Sequence, residues 1–468
     1  MKLLKFSLCM LLLLAVNLYA DGQVDLVKEN AELKQRLGRL EQELAELREI
    51  VLSQRKDAAP PAETPIVAPP SQQHLPAAPA DMKLTDDQVD RIAEMVEKRE
   101  KKEKGPFAGF DFIPYGFIKL DASYDTSQMN NGNFAAWVLS EEGNRNDDEF
   151  NMTAKATRLG LRINSREKSD ILATGLVEVD FFGDDNGGEN RPGILVRHAY
   201  AKLEWPEERF SILAGQYWDV ISPLNPNVLN YTVQWFAGNI GYRRPQVRAT
   251  KVYALSDTAD LKLEAAVTRN IGGIPRSIET PDTGADSGIP AFQGRVSSTF
   301  PFFGPQPTTV GFSGHWGKEE LDTVSGEKHF DSWSLNLDIT QPVNDWLAIQ
   351  AELFTGENLA TYFGGIGQGV NVARKREIAS RGGWVAARLT PWDKWSFNLG
   401  VSLEDVDGDD LVGMAAAREY NRAVFGNVIY SVNKSTDVGF ELSHWRTDYK
   451  GRPDADSIRA QTSLIYKF

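Results

Sequence analysis

The chain closes on IRAQTSLIYKF, residues 458–468. Counting back by twos, Phe468, Tyr466, Leu464, Thr462, Ala460 and Ile458 make a mostly apolar, aromatic-tipped set. Lys467, Ile465, Ser463, Gln461 and Arg459 make a mostly polar one. Successive side chains of a strand point to opposite faces, so this is a strand with one greasy and one wet side. A half-buried strand of a soluble sandwich reads the same way, and the decision lies upstream.

The alternation reaches back to about residue 113. Ile118, Leu120, Ala122 and Tyr124 oppose Lys119, Asp121 and Ser123; Leu159, Leu161 and Ile163 oppose Arg158, Gly160 and Arg162. Phe397, Leu399, Val401 and Leu403 oppose Asn398, Ser402 and Glu404, while the segments near 195–204 and 418–430 are ambiguous in parity. The connections are more informative. Short ones at 165–170, 205–209, 255–260, 342–345, 390–394 and 432–436 alternate with long ones at 126–152, 182–194, 219–242, 269–290, 318–328, 357–377, 405–417 and 447–457. That rhythm implies sixteen strands. A sandwich has no reason to keep its short turns at one end, whereas a membrane barrel places short turns in the periplasm and long loops outside. Closing the sheet also satisfies every backbone group in hydrocarbon, and Trp346, Trp392, Trp395 and Tyr466 suit interfacial girdles. The expected fold is all-β, a 16-stranded antiparallel transmembrane β-barrel over 105–468 with an N-terminal α-helical coiled-coil stalk. A secreted sandwich or solenoid is the alternative.

Ahead of the barrel, residues 1–20 read as a secretory signal peptide: Lys2 and Lys5, an apolar run, and Ala20 at a plausible cleavage point. Its Cys9 is the one cysteine, so the exported chain has no disulfide or thiol chemistry. Loss of Lys2 and Lys5 moves the formal charge from −14 to −16, which argues against nucleic acid as a partner. Residues 24–52 repeat Leu26, Leu33, Leu40 and Leu47 by seven, with Asn30, Leu37, Leu44 and Val51 in the second register. This is a coiled coil of about four heptads; an amphipathic helix packed on its own domain is the alternative. A proline-rich linker occupies 53–82, and a short helix, capped by Thr85 and striped by Val89, Ile92 and Val96, occupies 84–104.

The pieces YGFIKLDASYD (115–125), LAGQYWDVISPLNPN (213–227) and GYRRPQVR (241–248), together with the coiled-coil start, resemble the DcaP-like trimeric porins. The terminal Phe468 resembles the assembly signal of outer-membrane barrels generally. The resemblance implies homotrimers in the cell outer membrane that pass small organic anions, including dicarboxylates. Lipid and lipopolysaccharide would surround the barrel, and the periplasmic stalk would be free to contact peptidoglycan. A protein that tethers the membrane to the cell wall through its stalk is the alternative to a diffusion pore.

In trimeric porins the third long loop usually narrows the barrel. Here it is DVISPLNPNVLNYTVQWFAGNIGY, 219–242, with Asp219 as its only charge and Tyr231 and Trp235 among its aromatics. Such a composition suits packing inside a wall. Arg243, Arg244 and Arg248 follow at once; Arg158 and Arg162 share a parity, and Arg295 and Arg459 lie opposite apolar neighbours. Arginine on the lipid face costs about 2–4 kcal/mol at the midplane, so these should point inward. A set of guanidinium forks matches carboxylates and would make an anion filter of Arg158, Arg162, Arg243, Arg244, Arg248 and Arg295 with Tyr231 and Trp235. The competing reading pairs these arginines with lumen acids such as Glu178, Asp180, Glu352 and Glu404, leaving weak selectivity.

The acidic stretches 141–149, 183–190 and 405–410 lack the twelve-residue calcium loop with its closing glutamate. Solvated loops, or loops bridged to lipopolysaccharide by divalent ions, suit them better. None of His74, His198, His315, His329 and His444 has metal-ligand spacing. Ser443 and His444 are sequence neighbours and so face opposite ways, and GGIGQG (364–369) lacks a strand–turn–helix setting. We expect no enzyme, cofactor or metal site.

Overall fold

The computed structural model describes residues 109–468, apart from 143–146, 168, 184–188, 190, 274–282, 304–305 and 324–325. The signal peptide, coiled coil, linker and short helix assigned above all lie outside the described residues. Nineteen strands fold within them. In chain order they begin with β1 (Phe110–Asp125), β2 (Glu149–Thr153), β3 (Arg158–Ser165), β4 (Leu172–Asp180), β5 (Leu195–Trp205) and β6 (Phe210–Trp218). Next come β7 (Arg243–Ser256), β8 (Ala259–Thr268), β9 (Ala291–Pro301), β10 (Pro307–Thr323), β11 (Gly326–Asn344) and β12 (Leu347–Glu357). A small ribbon, β13 (Val370–Asn371) with β14 (Arg376–Glu377), precedes β15 (Ala379–Leu389), β16 (Trp395–Val406), β17 (Ala417–Ser431), β18 (Thr436–Lys450) and β19 (Ala455–Lys467).

All strands except the ribbon form one antiparallel sheet that closes on itself. The closing strand is the one quoted above: β19 pairs with β1 from Phe117 opposite Lys467 to Asp125 opposite Arg459. β2 and β3 are two halves of one crossing strand, because β1 pairs with β2 over 121–125 and with β3 over 110–117. The barrel therefore has sixteen crossing strands, as the rhythm of connections implies. Closure leaves no open edge for hydrocarbon to strip of hydrogen bonds.

Three connections differ from the sequence reading. A seventh short turn, 302–306, joins β9 to β10. The 318–328 and 447–457 connections are tight hairpins whose strands run on almost to the tip. Both contain alternating polar residues, which read as loop when the outer face carries charge instead of grease.

The two parities separate as expected. Tyr466 and Leu464 are 51% and 45% exposed, whereas Gln461 and Ser463 are 2% and 3% exposed. Ile118, Leu120, Leu337, Leu353, Leu399, Phe440 and Leu442 are also exposed, forming an outer apolar belt that a bilayer core solvates and water does not. Trp346, Trp392 and Trp395 sit exposed at the short-turn end, where interfacial rings belong. A crossing strand needs about 9–11 residues. β10 and β11, at 17 and 19, outrun that span.

Candidate functional site: the constriction loop and the wall it faces

The loop 219–242 folds inward because its ends are zipped. The Asp219 amide donates to the Tyr242 carbonyl at 2.7 Å, and the Tyr242 amide returns to Asp219 Oδ2 at 2.9 Å. Asp219 Oδ1 lies 2.8 Å from Arg244 Nε and accepts Gln293 Nε2 at 2.7 Å. Arg244 is 1% exposed; its guanidinium lies 3.7 Å over the Tyr362 ring and donates to the Thr361 carbonyl at 3.1 Å. This buried ion pair clamps the loop base. It offers nothing to a passing solute, so Arg244 holds the loop where a filter role was expected of it.

From this base the loop follows one side of the inner wall. The Leu224 amide donates to Glu352 Oε1 of β12 at 2.8 Å. Asn227 donates to Asn398 of β16 at 3.1 Å and accepts at its carbonyl from Asn427 of β17 at 2.8 Å. The Leu229 amide donates to Glu441 of β18 at 2.8 Å, and its carbonyl accepts Lys119 Nζ of β1 at 2.8 Å and Gln461 of β19 at 3.1 Å. Each such bond contributes about 0.5–1.5 kcal/mol, and losing a wall partner leaves a buried loop group unsatisfied at about 1–3 kcal/mol. On the return, Gly238 takes φ +113°, and a Cβ there would run into the carbonyl oxygens of Gly383 and Leu403. Glycine lets the backbone lie flat on β15 and β16. Trp235 is 2% exposed and packs edge-on to Phe363 at 4.8 Å and Tyr242 at 5.3 Å. It fills the junction between loops and does not line the lumen.

The loop's exposed side chains are Pro223, Asn225 and Asn227, all uncharged. The uncovered wall is basic. Arg158 stacks on Phe117 at 5.1 Å and reaches Glu178 at 3.5 Å, with its side chain 27% exposed. Arg162 is exposed and lies 5.7 Å over the Tyr115 ring, whose hydroxyl donates to Glu178 at 2.9 Å. Arg243 is 2% exposed, wedged between the rings of Trp218 (4.8 Å) and Tyr242 (4.4 Å), and its guanidinium nitrogens have no hydrogen-bond partner among the described residues, so it lies behind the wall and does not line the lumen. Arg248 and Arg295 are neutralised: the first lies 3.6 Å from Glu264, and the second forks onto Asp338 at 3.0 and 2.6 Å. Arg459 is likewise paired, with Asp125 at 2.7 Å.

Sequence reasoning missed Arg197. The register of β4 and β5 slips there: Glu178 pairs with His198 and Val179 with Val196, leaving Arg197 as a bulge. A bulge turns two consecutive side chains to one face. Val196 points out, and Arg197 and His198 both point in. Arg197 bonds Glu178 at 2.8 Å, Asp180 at 2.7 Å and the Tyr231 hydroxyl at 3.1 Å. Tyr231 in turn donates to Asp180 at 2.7 Å and stacks on Phe182 at 3.9 Å. Burial pushes its hydroxyl pKa up to about 12. The ambiguous parity near 195–204 was the available signal.

Other groups singled out from sequence have structural roles here. Ser443 faces inward, and His444 faces outward 3.4 Å from Asp456. His315 is buried on Ser334 (2.7 Å) and Ser332 (3.0 Å). Asp405 and Asp410 are each paired with an arginine, Arg381 and Arg376, at 2.7 Å. GGIGQG makes a short turn whose Gly365 amide donates to Glu404.

No family model matches the chain, and no curated protein sequence does. Among solved structures it is similar to the outer membrane channel DcaP of Acinetobacter baumannii, at 22% identity and TM-score 0.62, covering 77% of this chain and 98% of that one. An anion-selective porin from Comamonas acidovorans follows at 12% identity and TM-score 0.49, covering 77% and 100%. OprB of Pseudomonas putida follows at 10% and 0.48, covering 82% and 97%. The chain thus shares the barrel fold of the DcaP outer membrane channel.

Proposed function

We propose that the protein is an outer-membrane diffusion pore for small hydrophilic solutes that favours small organic anions such as dicarboxylates, and that it works as a homotrimer. The observation that carries this is the asymmetry of the constriction. A loop with uncharged exposed side chains is stitched along the lumen wall, and β3 beside it presents Arg158, 27% exposed, and the exposed Arg162, while Arg243 is buried between rings. Guanidinium forks pair with carboxylates in planar geometry. A pore lined by them favours anions unless acids face them across the gap, and the loop's one acid, Asp219, is already held by Arg244. The paired arginines, Arg248 and Arg295, set the background field and contribute little selectivity. The similarity to a protein described as an outer membrane channel supports the pore reading over a purely mechanical anchor.

The test is reconstitution into planar bilayers. Insertions should add conductance in threes, and the reversal potential in a salt gradient should show anion preference, strengthened with dicarboxylates in place of chloride. A cation-selective reversal potential rejects the arginine wall, and an impermeable protein rejects the pore.

A further inference from the structure

The β10–β11 hairpin outruns the length needed to cross a bilayer, and its tip brings together residues far from the constriction. Glu320 and His329 are directly opposed across the ladder, and Glu327 lies one diagonal away, opposite Asp322. One ligand atom from each of Glu320, Glu327 and His329 falls within 4.8 Å of the other two. Strand pairing, not sequence spacing, builds this cluster, which is why no histidine motif announces it.

Two further observations bear on what the cluster wants. Both carboxylate oxygens of Asp286, in the neighbouring 283–290 segment, are buried and accept no hydrogen bond among the described residues. Its charge, with those of Glu327 and Asp322, acts on Glu320, which is itself 8% exposed. Buried carboxylate oxygens without a hydrogen-bond donor are costly. The two lysines of the hairpin lie over rings, Lys318 5.9 Å from the Trp316 centroid and Lys328 5.4 Å from that of Phe330. The second observation is a distance. His329 Nδ1 and Glu320 Oε2 are 3.3 Å apart. Ligand bonds of about 2.0–2.2 Å arranged tetrahedrally around zinc put neighbouring ligand atoms about 3.3–3.6 Å apart.

We propose that the hairpin tip binds one divalent transition-metal cation of the zinc type, ligated by Glu320, Glu327 and His329. An imidazole among carboxylates selects such a cation over calcium or magnesium, which prefer all-oxygen shells. The negative Asp286 adds long-range attraction and ties the 283–290 segment to the hairpin when the cation is bound. This proposal does not depend on the solute preference of the pore.

Untagged full-length protein, purified in detergent and stripped with a chelator, is titrated with zinc chloride by calorimetry. The expected result is one saturable site per chain. His329→Ala and Glu320→Gln should each weaken it roughly tenfold or more, since losing even a supporting residue costs a metal site that much. Cobalt(II) should give a visible spectrum of four-coordinate intensity that His329→Ala abolishes, with single-pore conductance unchanged. Folding of each variant is checked by heat-modifiable mobility on gels. Absence of saturable zinc binding overturns the proposal. So does zinc binding that His329→Ala leaves intact, or calcium binding of equal strength at the same residues.

Discussion

The two sides of the inner wall use the same strand geometry for opposite ends. Asn398 and Lys202 each stand on the lumen face, three residues in from the short-turn end of their strands. Asn398, under the loop, is 1% exposed, whereas the side chain of Lys202, on the uncovered wall, is 34% exposed. On the covered side, polar residues act as anchors: Glu352, Glu441, Asn427, Lys119 and Gln461 bond the loop backbone, and Asn398 accepts the Asn227 side-chain amide. On the open side, Arg162 lies exposed over the Tyr115 ring, and Arg158, 27% exposed over Phe117, shares its charge with Glu178 at 3.5 Å. The lesson is that a polar lumen residue says little about permeation until its partner is known. Buried and paired, it is masonry; exposed beside a ring, it is available to solute.

Substitutions separate the two roles. The largest effect is expected at the loop base. Asp219→Ala leaves Arg244 buried without its ion, at a cost of about 3–5 kcal/mol. Thermal unfolding should show the loss, and bilayer recordings should show noisy, enlarged conductance. If Asp219→Ala instead leaves the conductance quiet and unchanged, the loop is not held by its base. Gly238→Ala comes next. It forces a side chain into a left-handed backbone against β15 and β16, a strain of about 1–3 kcal/mol, and should also enlarge the pore. Glu441→Ala strips the acceptor from the Leu229 amide, for about 1–3 kcal/mol, with a smaller change in conductance.

On the open wall the expectation reverses. Arg158→Ser with Arg162→Ser should change stability little, yet shift the reversal potential toward zero; an unchanged anion preference would move the selective charges elsewhere. The smallest effect is Tyr231. Its folded pKa of about 12 lies above the ordinary value of 10.0, so the folded chain holds the phenolic proton more tightly than the unfolded chain does. The resulting stabilisation is complete below pH 10 and fades as pH rises toward 12. Tyr231→Phe should remove that alkaline dependence and cost about 1 kcal/mol at neutral pH.

Much of this was legible in the chain itself. The period of two fixes which residues face lipid, since a charged side chain in hydrocarbon is costly enough to discipline every crossing strand. The alternation of short and long connections fixes the strand number, because turns and loops face different compartments. The loop's poverty in charge marks it as an inner element. Those signals are local, and local physics writes them.

Which arginine finds a counter-charge is not local. Arg243 and Arg244 are adjacent in sequence, yet one finds Asp219 and the other finds only the faces of Trp218 and Tyr242. Arg197 enters the lumen through a register slip of one residue, and Glu320 meets His329 across a hairpin. Sequence by itself determined the closed sheet and its two faces, because membrane and backbone impose the same demand on every strand. Only the tertiary structure decided which charges are cancelled and which remain for a solute, because cancellation depends on a few ångströms between residues that the chain keeps far apart.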